Sequence, residues 1–206
     1  RSLERIIREV QPDIAHIHLI YGTLSASVLR VLKKNHIPVV MTVHDYRLIC
    51  PANALLDRHG ELCEKCMGEQ YANCLINRCS ENNVFFSGVL LLDAWIRKFK
   101  INPVKLIDHF IFVSRFALDR HIKSNPGYTL KSSLLYNMGP SVLTTAVNKG
   151  SYFLYYGRLS HEKGIHTLVA AARFTGIQLI IAGTGPQETE LREWAENGSE
   201  GPGKIS

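Results

Sequence analysis

The 206-residue sequence has no methionine at position 1, no cysteine outside residues 50–79 and no long apolar run. Each absence excludes something. The opening residues carry no basic segment followed by an apolar stretch and a small-residue cleavage site, so no secretory-signal pattern is legible. The longest apolar run, residues 84–92, is interrupted by Ser87 and Gly88. It falls short of the roughly 20 residues that a bilayer-spanning helix needs. No fixed internal period occurs, which excludes a solenoid or a collagen-like chain. Charge of one sign is also scarce: 24 Lys and Arg stand against 18 Asp and Glu, a formal +6. That mild excess suits an anionic ligand or an anionic membrane surface rather than forming a nucleic-acid tail. What is present is a globular composition, 46% hydrophobic and 20% charged, too apolar for intrinsic disorder.

Hydrophobic periodicity divides the chain. Leu3, Ile6, Ile7 and Val10 fall on one helical face. After the Gln11-Pro12-Asp13 turn, residues 14–19 read as a strand buried in a parallel sheet. Thr23 or Ser25 then caps a helix to about residue 35, Pro38 ends it, and residues 39–43 give a second strand. This βαβ unit predicts a parallel sheet covered on both faces. A cysteine-bearing insert over 47–82 follows, then a helix over 83–100 and a strand over 106–113. Ser114 reads as the N-cap of a helix to 123, and 133–136 as a short strand. No periodic pattern appears over 141–150, which reads as a linker. The alternation then resumes: strand 152–156, loop 157–164, helix 165–174, strand 178–182, loop 183–186, helix 187–196. Two strands are fewer than the five or six of an open α/β domain. The expectation is therefore an α/β chain holding parts of two Rossmann-like parallel-sheet domains, residues 1–140 and 151–206, cut at both ends.

Five cysteines, Cys50, Cys63, Cys66, Cys74 and Cys79, crowd into 30 residues. Cys63-x2-Cys66 followed by Cys74-x4-Cys79 approaches metal-ligand spacing. Four-thiolate structural zinc, one or two disulfides, and free buried thiols all stay open. A stretch this long with weak periodicity needs something to order it.

The segment from Gly157 to Gly164, Gly-Arg-Leu-Ser-His-Glu-Lys-Gly, lies between a strand and a helix N-terminus. Open α/β sheets bind ligands there, outside the carboxyl ends of their strands. Gly157 and Gly164 permit close backbone approach. Arg158 forks onto phosphate oxygens, and Lys163 adds a point charge. With the free N–H groups of the next helix, they form a diphosphate cradle; the alternative is a surface loop with two solvated cations.

The motif Gly157-Arg158-x4-Lys163-Gly164, followed by Gly183-x-Gly185-Pro186, resembles the donor domain of retaining glycosyltransferase family 4. Pro12-Asp13-Ile14-x-His16-x-His18, Thr42-x-His44-Asp45 and Phe112-Val113-Ser114 agree with it. Asp45-Tyr46-x3-Cys50-Pro51 with the later cysteines is similar to a subset carrying a cysteine insert in the acceptor domain. The resemblance implies a GT-B architecture, two Rossmann-like domains facing a cleft. It implies transfer of a sugar from a nucleotide-diphosphate sugar to a glycan or lipid-linked acceptor, with retention of configuration and no catalytic divalent metal. Arg158 and Lys163 match the family's diphosphate-binding pair, with Gly157, Gly164 and Gly185 around them. His44 matches a His facing the donor sugar, and Gly22 lies in a loop near the cleft.

Two departures accompany the resemblance. The family's N-terminal glycine-rich loop and its paired glutamates seven residues apart are both missing, so the chain reads as a fragment with little or no transfer activity alone. Glu188, Glu190, Glu193 and Glu196 precede the place of that pair and take no role. Alternatives from other classes are a zinc-stabilised binding module on the insert, or another GT-B enzyme such as a sugar-nucleotide epimerase. Glu61, Glu64 and Glu69 beside the thiols argue against nucleic acid.

Three smaller readings complete the set. Asp45 is placed to fix the His44 tautomer, while His16 and His18 read as core or cleft-edge residues. Arg97, Lys98, Lys100 and Lys105, next to the 84–92 run, suit an anionic membrane carrying a lipid-linked acceptor, or else an ordinary solvated helix end. A cytoplasmic location, with possible contact at the inner membrane face, is the corresponding expectation.

Overall fold

The computed structural model describes residues 2–19, 25–57, 59–80, 82–139 and 150–197. The expected linker over 141–150, apart from Gly150, and the Gly22–Thr23 loop lie outside them. The chain divides into two units, Arg1–Gly139 and Pro140–Ser206.

In the first unit, strands β1 (Ala15–His18), β2 (Val39–Val43), β3 (His109–Phe112) and β4 (Ser132–Leu134) form one parallel sheet in sequential order. Register runs His18 to Thr42 and Val43 to Phe112. The two inner strands carry the core. Val39, Met41 and Val43 of β2 and Phe110 and Phe112 of β3 are buried, as the near-continuous apolar reading required. Helix α1 (Ser2–Val10) precedes β1, and α2 (Ser27–Lys34) crosses from β1 to β2, burying Leu29 and Leu32. The apolar stripe of α1 is only partly used: Ile7 is buried, while Ile6 and Val10 stay exposed. Ser25 supports α2 from one residue before the cap, its Oγ accepting from the Ser27 N–H at 3.2 Å.

Between β2 and β3 lie the insert, with its short helix α3 (Ala72–Ile76), then α4 (Val84–Phe99) and α5 (Pro103–Leu106). Asn83 caps α4, its side chain accepting from the Phe85 and Phe86 N–H groups. The expected strand over 106–113 is shorter, beginning at His109. Asn102 accepts from the Lys105 N–H and Pro103 occupies the first helical turn, so those residues close a helix instead. Ser114 does cap α6 (Arg115–Ser124), accepting from the Ala117 N–H at 3.1 Å.

The insert is ordered by specific contacts. Leu56 and Leu62 make an antiparallel bridge. The Asp57 carboxylate accepts from the His59 and Glu61 N–H groups, which holds its pKa below the usual range. Glu64 ties the insert to α6 through Arg120 and Lys123. These hydrogen bonds, Lys123 first, lower the Glu64 pKa.

In the second unit, β5 (Tyr152–Tyr156) and β6 (Gln178–Ala182) pair in parallel. Helix α7 (Ile165–Thr175) connects them, and α8 (Glu188–Asn197) follows. Leu159, Ile165, Val169, Ala172, Leu179 and Leu191 form a separate small core.

Candidate functional site

Two loci occupy the carboxyl ends of parallel strands, where an open α/β sheet exposes backbone and side chains to ligand. They belong to different units and are described separately.

In the first unit, His44 stands directly after β2, exposed. Its Nε2 lies 2.9 Å from Nδ1 of His18, the last residue of β1. One of these nitrogens donates and the other accepts, so each ring constrains the tautomer of the other. The rings stack with centroids 5.2 Å apart, and His16 packs against His18 at 4.5 Å. Nε2 of His16 lies 2.8 Å from Thr42 Oγ1, anchoring this histidine row to β2. The expected partner of His44, Asp45, is engaged elsewhere: its carboxylate accepts from the Arg47 N–H at 3.1 Å. His18 takes the place that the sequence reading gave to Asp45. The signal is the His16-x-His18 alternation, which puts both rings on one face of the sheet, while the meeting of His18 with His44 also needs the β1–β2 register.

In the second unit, residues 157–164 leave β5, pass through a single turn at His161–Lys163 and enter α7. Gly164 sits at φ 67°, the left-handed region, and caps α7 without a side-chain hydrogen bond. A side chain at this position would be strained by the backbone conformation. The first N–H groups of an 11-residue helix therefore face outward beside two exposed cations, Arg158 and Lys163. Both cations act on Glu162, whose carboxyl is held low first by the Ser160 hydroxyl, at 2.5 Å, and by its own backbone N–H.

Gly157 and Gly185 both take part in the packing of the two glycine loops on each other. The second glycine loop closes on the first. The Gly157 N–H donates to Ala182 at 3.0 Å and the Leu159 N–H to Thr184 at 2.9 Å. A Cβ on Gly185 would meet the Leu159 carbonyl oxygen at 2.3 Å, and one on Gly183 would meet the Gly157 oxygen at 1.9 Å. Gly185 is thus required by loop-on-loop packing. Tyr155 adds a hydrogen bond from its hydroxyl to the Arg158 carbonyl at 3.0 Å, fixing the backbone under that cation.

The cysteines gather at the insert. All five are free thiols. Cys66 and Cys74 are buried together with Tyr71, Leu91 and Ala94, and Cys79 packs against them. Among the described residues, no group of three or more His, Cys, Asp or Glu side chains is arranged to hold a metal ion.

The model for Glycosyltransferase Family 4 matches residues 1–127, more than half of the chain. The chain belongs to that family. The model for Glycosyl transferases group 1 matches residues 144–199 of the same family 4 chain. The two matches fall on the two parallel-sheet α/β units, as a GT-B glycosyltransferase requires. The crystal structure of Glycyrrhiza uralensis UGT73P12, complexed with glycyrrhetinic acid 3-O-monoglucuronide, is similar across 100% of this chain and 48% of its own length. It shares 11% identity at a TM-score of 0.47. The family 4 chain therefore spans about half the length of that structure. A search of curated proteins found no match.

Proposed function

We propose that this chain is part of a retaining glycosyltransferase that takes a nucleotide-diphosphate sugar as donor and a glycan or lipid-linked acceptor. The observation that carries the reading is the 157–164 loop. Exposed Arg158 and Lys163 flank a glycine-capped helix N-terminus on the unit matched by the group 1 model. Such a site neutralises a leaving diphosphate without a metal: the guanidinium forks onto phosphate oxygens, the ammonium adds charge, and the helix N–H groups donate. Gly157 and Gly164 keep the backbone open there, while Gly185 braces the loop from behind. His44, with its ring set by His18, hydrogen-bonds the donor sugar and is the catalytic-side residue of the proposal. Retention follows from the resemblance of the motif set to retaining enzymes.

The insert enters as a structural element. Cys63, Cys66, Cys74 and Cys79 supply the four soft sulfur donors that structural zinc takes. What supports this is the spacing Cys63-x2-Cys66 and Cys74-x4-Cys79 and the packing of Cys66, Cys74 and Cys79 in one cluster, although the side chains do not themselves form a ligand set among the described residues.

Calorimetric titration of UDP and of GDP into the chain tests the cradle. Charge-assisted hydrogen bonds are worth enough that Arg158→Ala is expected to weaken nucleotide binding about tenfold or more. His44→Ala, on the other unit, is expected to leave nucleotide binding intact. Equal affinity of wild type and Arg158→Ala for the nucleotide that binds would end the proposal.

A further inference from the structure

Helix α4 is apolar on two faces. Its inner stripe, Ser87, Leu91, Ala94 and Arg97, is buried, with Leu91 and Ala94 packed on Cys66, Tyr71 and Cys74. Its outer stripe, Phe85, Val89, Leu92, Ile96 and Phe99, recurs at helical spacing and lies in solvent with Trp95 beside it. Exposure along it runs from 44% at Ile96 to 73% at Phe85. A helix apolar all round belongs in a buried setting. Contiguous apolar surface of this kind, left open, marks an interaction site.

We propose that the outer face of α4 lies in the headgroup region of an anionic membrane. Trp favours the bilayer–water boundary and Phe the inserted face of an interfacial helix, and Phe85, Trp95 and Phe99 mark both ends of the stripe. The one acid of the helix, Asp93, is paired with Arg97 at 3.0 Å, so its charge is compensated. Lys98 is likewise committed, to Glu69 at 3.0 Å. A basic patch closes the C-terminal end. The Arg30 guanidinium of α2 donates to the Lys100 carbonyl, and Arg30, Lys100 and Lys105 of α5 are all exposed. An apolar stripe with cations at its end fits acyl chains below and anionic headgroups around it.

Length decides the orientation. Sixteen residues make a helix of about 24 Å, shorter than a spanning helix needs. Among the described residues no helix is long and apolar enough to cross a membrane. The helix therefore lies in the plane of the interface. A second copy of the chain is the weaker occupant. The stripe covers about two heptads, and coiled-coil pairing asks for three or four with charged flanks. The contact stands whether or not the second unit holds a diphosphate.

Vesicle flotation tests the contact, with phosphatidylcholine alone and with added phosphatidylglycerol. The chain is expected to float with the anionic vesicles and to be released as salt rises. Phe85→Ser with Phe99→Ser is expected to abolish flotation, and Lys100→Gln with Lys105→Gln to weaken it about fivefold per cation. These side chains are exposed, so circular dichroism and melting should stay unchanged in both variants. Absence of flotation, or flotation that neither variant alters, overturns the proposal. So does a dimer that lacks vesicle binding and dissociates in the Phe85→Ser, Phe99→Ser variant, which would assign the face to a second copy.

Discussion

His121 sits wholly buried in α6, with its Nδ1 2.7 Å from the Ala117 carbonyl and donating to it. Its ring packs on Phe112 and Tyr128, centroids 4.8 and 5.4 Å away, and Nε2 has no hydrogen-bond partner. Burial drives its pKa down from 6.5 to about 4. The unfolded chain takes up a proton near pH 6.5, whereas the folded chain resists until about pH 4. Stability contributed by the neutral ring is therefore complete above the unfolded pKa and drains away as pH falls through this window. The loss is on the order of 3 kcal/mol. Urea unfolding at neutral pH and near pH 4.5 should reveal it, and His121→Phe should flatten the dependence. An equally steep profile in that variant would remove His121 as the cause. The same scale shows what one sequence yields. His44 was legible because the strand before it was clear. Its link to His18 was not, because that contact joins residues 26 apart and depends on the β1–β2 register. Asp45 looked like the partner only because it is adjacent in sequence.

At the scale of elements, strands β2, β5 and β6 fall where continuous apolar runs put them. The strand expected over 106–113 starts only at His109 because Asn102 and Pro103 open a helix that runs to Leu106. The insert was the least legible element. Its order comes from the local Asp57 turn and from two tertiary features, the Glu64 pairs with α6 and the thiol packing under α4. Burial pushes the Cys66 thiol up to about 12, with the neighbouring thiols adding to the shift, and raises Cys74 and Cys79 as well. Thiolates forming together here repel in a poorly solvated place. A bound cation removes that cost by holding the sulfurs deprotonated. If zinc fills the role, chain purified under reducing conditions should carry about one equivalent. Chelation should then lower the melting temperature. Metal well below one equivalent, with thiols still reactive, would leave packing alone as the ordering force.

At the scale of the whole molecule, the main cores of the two units share no residue. One draws on positions from Ile7 to Tyr128 and the other on positions from Leu159 to Leu191. Perturbations confined to one core should therefore register separately in calorimetry. Gly185→Ala adds a methyl that meets backbone rather than a yielding side chain, 2.3 Å from the Leu159 oxygen. Overpacking of this kind costs about 1–3 kcal/mol. In a unit this small each kcal/mol moves the midpoint by about 4–8 °C. The expected thermogram has two transitions, of which Gly185→Ala lowers one, while acidification through the His121 window acts chiefly on the other. The same substitution should weaken UDP or GDP binding, because the loop bearing Arg158 rests on the loop bearing Gly185. A single transition displaced by both treatments would mean that the two cores melt as one cooperative unit. Loss of nucleotide binding without any thermal shift would instead assign Gly185 to the ligand itself rather than to loop packing.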